Sequence, residues 1–358
     1  MKAYEIGEFG IENLKIVERE IPSPGPHDVV VRMKAASINY RDLMVIKGTY
    51  NPRMKLPAVP FSDCAGEVIE IGNEVSRFKP GDRVIPIFVQ KWIDGECTDE
   101  KRRSAIGAGA QWDGVLREFA AFSEEGLVAV PKHLSYEEAA ALPCAGITAW
   151  HALVESGRLK AGDSVLTLGS GGVSIFAIQI ASMFGARVIA TSSSNDKLGR
   201  LRELGAEGLL NYQERPDWNV AVMEMTAKRG VDHVVDVGGL GTLSRSILAA
   251  RVGGHVAMVG ALSTEGTFDP VSAFMRSIRL QGIFGGSRQM FEDMNRAIEK
   301  NLLRPVIDRV FGFDEVREAL RHVESGAHFG KVVVTFQLDR CFRADSDEER
   351  SASLLKPR

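Results

Sequence analysis

Short apolar runs broken by turn-forming residues dominate the first third of the chain. Leu14–Ile21, Val29–Ser37, Gly66–Ile71, Leu116–Phe122 and Leu127–Val130 are punctuated by PSPGP at 22–26, by Lys79-Pro80-Gly81-Asp82 and by Pro131. This spacing predicts strands of a small antiparallel barrel or sandwich. Between Phe88 and Gly114 the sequence is polar, contains Gly and shows no period. It reads as a long loop, of the kind that is functional or mobile inside a compact domain.

The period changes near Ser135. SYEEAA predicts a helix start, with Ser135 as cap and Glu138 completing a capping box. Pro143 breaks this helix and Ile147–Ser156 resumes it. Strands and helices then alternate. Strands are expected at Ser164–Leu168, Ala186–Thr191, Val231–Val237, His255–Gly260 and Leu280–Phe284. The intervening helices are Gly172–Phe184, Asp196–Leu204 and Gly241–Ala250. Such alternation requires a parallel sheet covered on both faces. Beyond it come helices Gln289–Lys300 and Asp314–Glu324 and a strand, Lys331–Gln337. These lie past the strands that a dinucleotide fold needs, so the chain is expected to cross back into the first domain. The expected division is 1–145, 146–288, a return over 289–337, and a mobile tail over 338–358.

The span Ser164–Ala186 carries no charge, and its length is nominally enough to cross a bilayer. Gly169, Gly171 and Gly172 interrupt it, and a strand, a glycine turn and a buried helix explain it better. The amino terminus has no apolar core of a signal peptide. Hydrophobic residues are 44% of the 358 and charged residues 25%, and the net charge is −3. That balance fits a globular protein and gives no general attraction to nucleic acid or anionic membrane. Cys64, Cys97, Cys144 and Cys341 form no close pair. A disulfide scaffold or zinc ribbon is not expected, and a cytoplasmic location fits.

The first chemical motif is Gly169-Ser170-Gly171-Gly172-Val173-Ser174, set between a strand and an apolar helix. The first Gly permits the tight turn and the second lets backbone approach a pyrophosphate. The helix N-terminus offers N–H groups and a positive dipole end. Ser174 stands where a third Gly is usual and is still small. At the tip of the next strand, Ser192 and Ser193 stand where a carboxylate would bind a ribose 2′-hydroxyl, and Lys197 follows, with Asp196 as a helix cap. Hydroxyls and a cation accept a 2′-phosphate, so NADP(H) is favoured over NAD(H). The alternative is that these serines only cap the helix.

Asn39-Tyr40-Arg41-Asp42, Ala65-Gly66-Glu67-Val68, Lys79 to Val84, Cys144 to Trp150, the glycine turn and Phe329-Gly330-Lys331-Val332 carry a resemblance. The chain resembles the medium-chain dehydrogenase/reductase superfamily, in its quinone-oxidoreductase-like, zinc-independent alcohol dehydrogenase-like branch. The resemblance implies an α/β protein, with a GroES-like β-barrel catalytic domain plus a Rossmann doubly wound parallel sheet. The cofactor is expected in the cleft between them. It also implies cofactor contacts at Thr148, Tyr212, Val237, Gly238, Gly260, Ala261, Leu262, Phe284, Gly285, Ser287 and Lys331. Pairing of Leu280–Phe284 across a two-fold axis would give a homodimer.

Zinc-dependent members place Cys where Asn39 stands and His-Glu where Ser62-Asp63 stand, leaving Cys144 as the remaining donor. That set cannot hold a catalytic zinc, and no metal is expected. Asn39, Tyr40 and Asp42 are then the catalytic candidates: Tyr40 and Asn39 as donors to substrate, and Asp42 orienting the turn. Asn39 and Asp42 are equally read as caps of the following helix. The expected activity is zinc-independent, NADPH-dependent hydride transfer to a small carbonyl, enone or quinone. Oxidation of a small alcohol, and a non-catalytic crystallin-like NADPH-binding role, are the alternatives.

Overall fold

The protein is described by a computed structural model over residues 1–107, 112–260 and 262–336. Ala261, Gln337 and the expected tail over 338–358 lie outside the described residues. The first part contains strands β1 (Lys2–Ile6), β2 (Leu14–Glu18), β3 (Asp28–Ile38), β4 (Asp63–Ile71), β5 (Arg83–Pro86), β6 (Phe119–Ser123) and β7 (Leu127–Ala129). The second contains β8 (Ser164–Leu168), β9 (Arg187–Ser192), β10 (Ala206–Asn211), β11 (Val231–Asp236), β12 (Ala250–Met258) and β13 (Arg279–Gly282). The chain closes with β14 (Ile307–Gly312) and β15 (Lys331–Thr335).

Strands β8 to β13 form one parallel sheet in the order β10-β9-β8-β11-β12-β13. Sequence order reverses on either side of β8, which places a topological switch point beside it. Both faces are covered. Along β8, Val165 packs into one core and Leu166 and Leu168 into another; Val235 and Val234 of β11 divide the same way. Every residue of β8 and β11 is buried. This is why these segments read as continuous apolar runs rather than as alternating ones.

The other sheet runs β14-β15-β3-β4-β5-β7, with β6 also on β3. The return of the chain therefore supplies two strands to the first sheet. The strands of the first third pair antiparallel, as expected, while β14 and β15 of the returning segment pair in parallel, joined by the helix Val316–Glu324. Period-two side-chain direction couples the sheet to two cores. Val332 and Val334 face one, while Val333 joins the core shared with helix Gly172–Met183.

Several elements depart from the sequence reading. The Ser135–Glu138 capping box forms, with Ser135 Oγ accepting from Glu138 N at 3.2 Å. Pro143, however, does not break the path. It sits at the start of a widened π-helical segment, Leu142–Gly146, which runs on into Ile147–Trp150. Proline is tolerated there because its missing N–H falls in a first turn. The 88–114 stretch includes a short helix, Asp99–Arg102, and a bridge between Val89 and Ala105. Ser194, not Asp196, caps the helix Asn195–Glu203.

Candidate functional site

The glycine turn leaves β8 at Gly169, whose φ of 76° favours glycine, and whose N–H donates to Thr191 O at 2.9 Å. A Cβ on Gly169 or Gly171 would meet no atom, so the turn is open on the side a pyrophosphate would occupy. Gly172 is different. A Cβ there would lie 2.6 Å from Lys331 Cδ and 3.1 Å from the Ala145 Cβ. Val173 follows in the first turn of the helix Gly172–Met183. Buried Ser174 donates to Leu168 O at 2.6 Å, which ties the helix start to the strand end. Gly330 N donates to Ser170 O at 3.0 Å, so the returning chain is fastened to this turn. The turn fits a dinucleotide.

The Asn39–Asp42 turn follows β3. Asn39 N donates to Asp42 Oδ2 at 2.8 Å, so Asp42 secures the start of helix Tyr40–Ile46. Asp42 is fully buried, and desolvation raises its carboxyl to about 6 against the opposing pull of Arg41. Tyr40 is half-exposed at the first helical position. Asn39 Oδ1 accepts from Lys331 Nζ at 2.6 Å, and Ile38 O accepts from the same ammonium at 2.8 Å. Asn39 Nδ2 lies close enough to Asp63 to favour its carboxylate but makes no well-formed hydrogen bond.

Asp63 is the residue the sequence reading passed over. Its Oδ1 accepts from Ser62 Oγ at 3.0 Å and its Oδ2 from Cys144 N at 3.1 Å. Lys331 Nζ lies 3.9 Å from Oδ2. Burial pushes the Asp63 carboxyl up, and the ammonium opposes that shift. The neighbouring Cys144 thiol is pushed up to about 12 by burial and by the Asp63 charge, which keeps it a thiol. Asn39 and Asp63 thus flank an ammonium, with Ser62 Oγ and Cys144 N donating to Asp63, rather than offer a three-ligand metal set. Among the described residues no three His, Cys, Asp or Glu side chains cluster to hold a metal. These donors do not fit a catalytic zinc.

On the Rossmann side, Ser192 is buried at the end of β9, its O accepts from Tyr212 N at 3.1 Å, and Ser193 is exposed. Lys197 does not bond to these serines. Its ammonium donates to Gly326 O at 2.9 Å and His328 O at 3.0 Å, and desolvation lowers its pKa. A carboxylate the strand-tip pattern missed stands at this edge: Glu214 accepts from Asn195 Nδ2 at 2.7 Å and from Asn211 Nδ2 at 3.1 Å. The signal lay one strand later than the fingerprint looks.

The remaining expected positions are spread along the carboxyl edge of the sheet. Val237 follows β11, and Gly238 N donates to Asp236 Oδ1 at 2.9 Å. Asp236, also unmentioned by the motifs, accepts from Thr242 Oγ1 and Ser246 Oγ and fixes the whole turn. Gly260 packs on Val237, and Leu262 is exposed. Gly285 O accepts from His151 Nδ1 at 2.8 Å, and Phe284 stacks obliquely on Phe88 at 5.5 Å. Thr148 is buried two elements ahead of the glycine turn. Ser287 caps the helix Arg288–Asn301.

Comparison with known proteins agrees with this geometry. Residues 25–132 match the alcohol dehydrogenase GroES-like domain, and residues 172–300 match the zinc-binding dehydrogenase family. The chain belongs to the medium-chain dehydrogenase/reductase superfamily. It is 42% identical to a zinc-type alcohol dehydrogenase-like protein of Schizosaccharomyces pombe, over 91% of this chain and 96% of the relative. It is 28% identical to an acryloyl-coenzyme A reductase of Metallosphaera sedula, over 90% and 97%. A solved NAD-dependent alcohol dehydrogenase superposes with a TM-score of 0.85 at 36% identity, covering 94% of this chain and 99% of that one. The protein is an oxidoreductase of this superfamily, whose members use a nicotinamide cofactor.

Proposed function

We propose that the protein is a zinc-independent, NADPH-dependent reductase of a small carbonyl, enone or quinone. The observation that carries this reading is the buried ammonium of Lys331, held by Ile38 O and Asn39 Oδ1 beside Asp63, where a metal-dependent site needs an open cation position. A bound nicotinamide supplies hydride from its C4. The chain's own part is to bind, orient and protonate. The open Gly169–Gly171 turn and the helix N-terminus receive the pyrophosphate. Thr148, Val237, Gly238, Gly260, Leu262, Phe284, Gly285 and Ser287 border the rest of the cofactor.

Tyr40 and the Asn39 amide donate to the substrate oxygen as negative charge develops there. Asp42 holds that turn in place through Asn39 N. The hydroxyls of Ser192 and Ser193 favour a 2′-phosphate, with Tyr212 beside it. A preference for NADH is the competing reading, and the Glu214 carboxylate is what favours it. We also propose a homodimer through the edge strand β13 and the neighbouring helix Pro270–Met275, which leaves Val271, Phe274 and Met275 exposed. Among the described residues, no helix is long and apolar enough to cross a membrane.

The test is NADPH and NADH oxidation against aldehydes, enones and quinones, together with Tyr40→Phe. Oxidation of NADPH, with lower turnover but unaltered NADPH affinity in the variant, supports the reading. NADPH binding without turnover across the panel refutes it.

A further inference from the structure

Arg41 stands on the first turn of helix Tyr40–Ile46, between Tyr40 and Asp42, and its side chain has the charge on Asp42 as its neighbour but no part in the proposed reaction. That side chain is only 11% exposed. Its Nη1 lies 3.4 Å from Asp42 Oδ1, a long contact. Its Nε and Nη2 are shielded from solvent and have no hydrogen-bond partner among the described residues. A guanidinium presents five donors, and a buried charge is retained at low cost only when its donors are matched. The two unmatched donors are not a random pair. Nε–H and Nη2–H point the same way along one edge of the plane, which is the fork that a carboxylate fills with two parallel bonds.

The surroundings place Arg41 beside Tyr40 and against the Phe88–Phe284 ring pair. The guanidinium carbon lies 4.9 Å from the Phe88 ring centroid and 5.1 Å from that of Tyr50. Phe88 in turn packs on Phe284, which follows the last Rossmann strand. Arg41 is therefore one ring away from the cofactor side and one residue from Tyr40. Two aromatic rings lie against the cation while its Nε/Nη2 edge stays unmatched, and a carboxylate, flat and with two acceptor oxygens, matches that edge better than a tetrahedral phosphate. Tyr50 is 39% exposed and Phe88 is buried, so Tyr50 is the ring on the solvent side of the cation.

We infer that Arg41 selects the substrate: its Nε/Nη2 edge receives a carboxylate carried by an α,β-unsaturated carbonyl compound. This rests on the reductase reading above. In the reaction, hydride passes from the nicotinamide to the carbon β to the ketone. A proton goes to the α carbon, and NADPH leaves as NADP⁺. The carboxylate itself is unchanged and serves only to position the double bond.

Two probes differ in the relevant group alone: acetylacrylate, an enone bearing a carboxylate, and ethylideneacetone, which has methyl in its place. For each, kcat/KM is measured with NADPH for the wild type, Arg41→Gln and Arg41→Lys. The expected result is a preference for acetylacrylate in the wild type that falls by about ten- to a hundredfold in Arg41→Gln, the size of a charged hydrogen bond. Arg41→Lys, which keeps the charge without the fork, is expected to fall between them. A ratio of the two substrates that is the same in wild type and Arg41→Gln overturns the inference, whatever happens to the absolute rates. If neither probe is reduced, the reductase reading fails, and the inference is decided by binding. Acetylacrylate must then raise the melting temperature of the NADPH-loaded wild type and not of NADPH-loaded Arg41→Gln; equal shifts, or none, overturn it.

Discussion

Lys331 Nζ donates a 2.6 Å hydrogen bond to Asn39 Oδ1, across 292 positions of sequence. The same lysine lies against Gly172, at the start of the dinucleotide helix. One buried cation thus links the glycine turn, the catalytic turn and the Asp63 carboxylate.

Lys331→Met is expected to destabilise the fold by about 3–5 kcal/mol, because it leaves the Asp63 carboxylate buried without its counter-charge. Urea unfolding measures this. Adding Asp63→Asn to the same chain should recover a large part of the loss, since the unpaired charge is then gone. A loss below about 1 kcal/mol in the single variant would show that the ammonium carries no such role.

The Rossmann half was legible because its signals are local. β8 and its glycine turn lie together in sequence, and a fully buried strand reads as an unbroken apolar run. β1, β5, β10 and β14 escaped notice because they are short or mixed in polarity. In β14, Asp308 and Arg309 interrupt the apolar pattern. The Asn39–Asp42 turn stands out by its motif, but its structural partners do not. Lys331 approaches Asn39 only because β15 inserts beside β3, a pairing no local pattern encodes. Lys197 shows the converse. Its position suggested a phosphate ligand, yet the 326–328 loop captures its ammonium.

Asp42 gives a pH signature. Its carboxyl is raised from 3.8 to about 6 in the folded protein, so the folded state holds this proton more tightly than the unfolded chain does. Stability from this group therefore falls as pH rises through that interval. Asp42→Asn cannot ionise and can still accept from Asn39 N. Its stability relative to wild type should improve between pH 4 and 6, on the order of a few kcal/mol across the interval. Chemical unfolding at a series of pH values checks this, and parallel curves for the two proteins would contradict it.

Ser192→Asp places a carboxylate at the tip of β9, where the proposed NADPH would carry its extra phosphate. NADPH affinity should fall by about 1.5–3 kcal/mol while NADH affinity holds or improves. Fluorescence titration with both cofactors measures the change. Equal loss for both would show that the substitution disturbs the buried Ser192 environment rather than a phosphate contact.

Phe274 and Met275 are 66% and 69% exposed on the helix beside β13. Light scattering should return about twice the chain mass of 39.1 kDa, and Phe274→Glu should shift the mass toward the monomer. A monomeric wild type at micromolar concentration would remove the dimer.

A lysine-centred polar cluster occupies this site, and on the proposed function hydride passes from the nicotinamide without a metal. The most direct measurement is NADPH oxidation in the presence of ethylideneacetone by protein treated with EDTA and then analysed for zinc. The account predicts well under one zinc per chain and a rate unchanged by the chelator. Activity that disappears with EDTA and returns with stoichiometric zinc would contradict it.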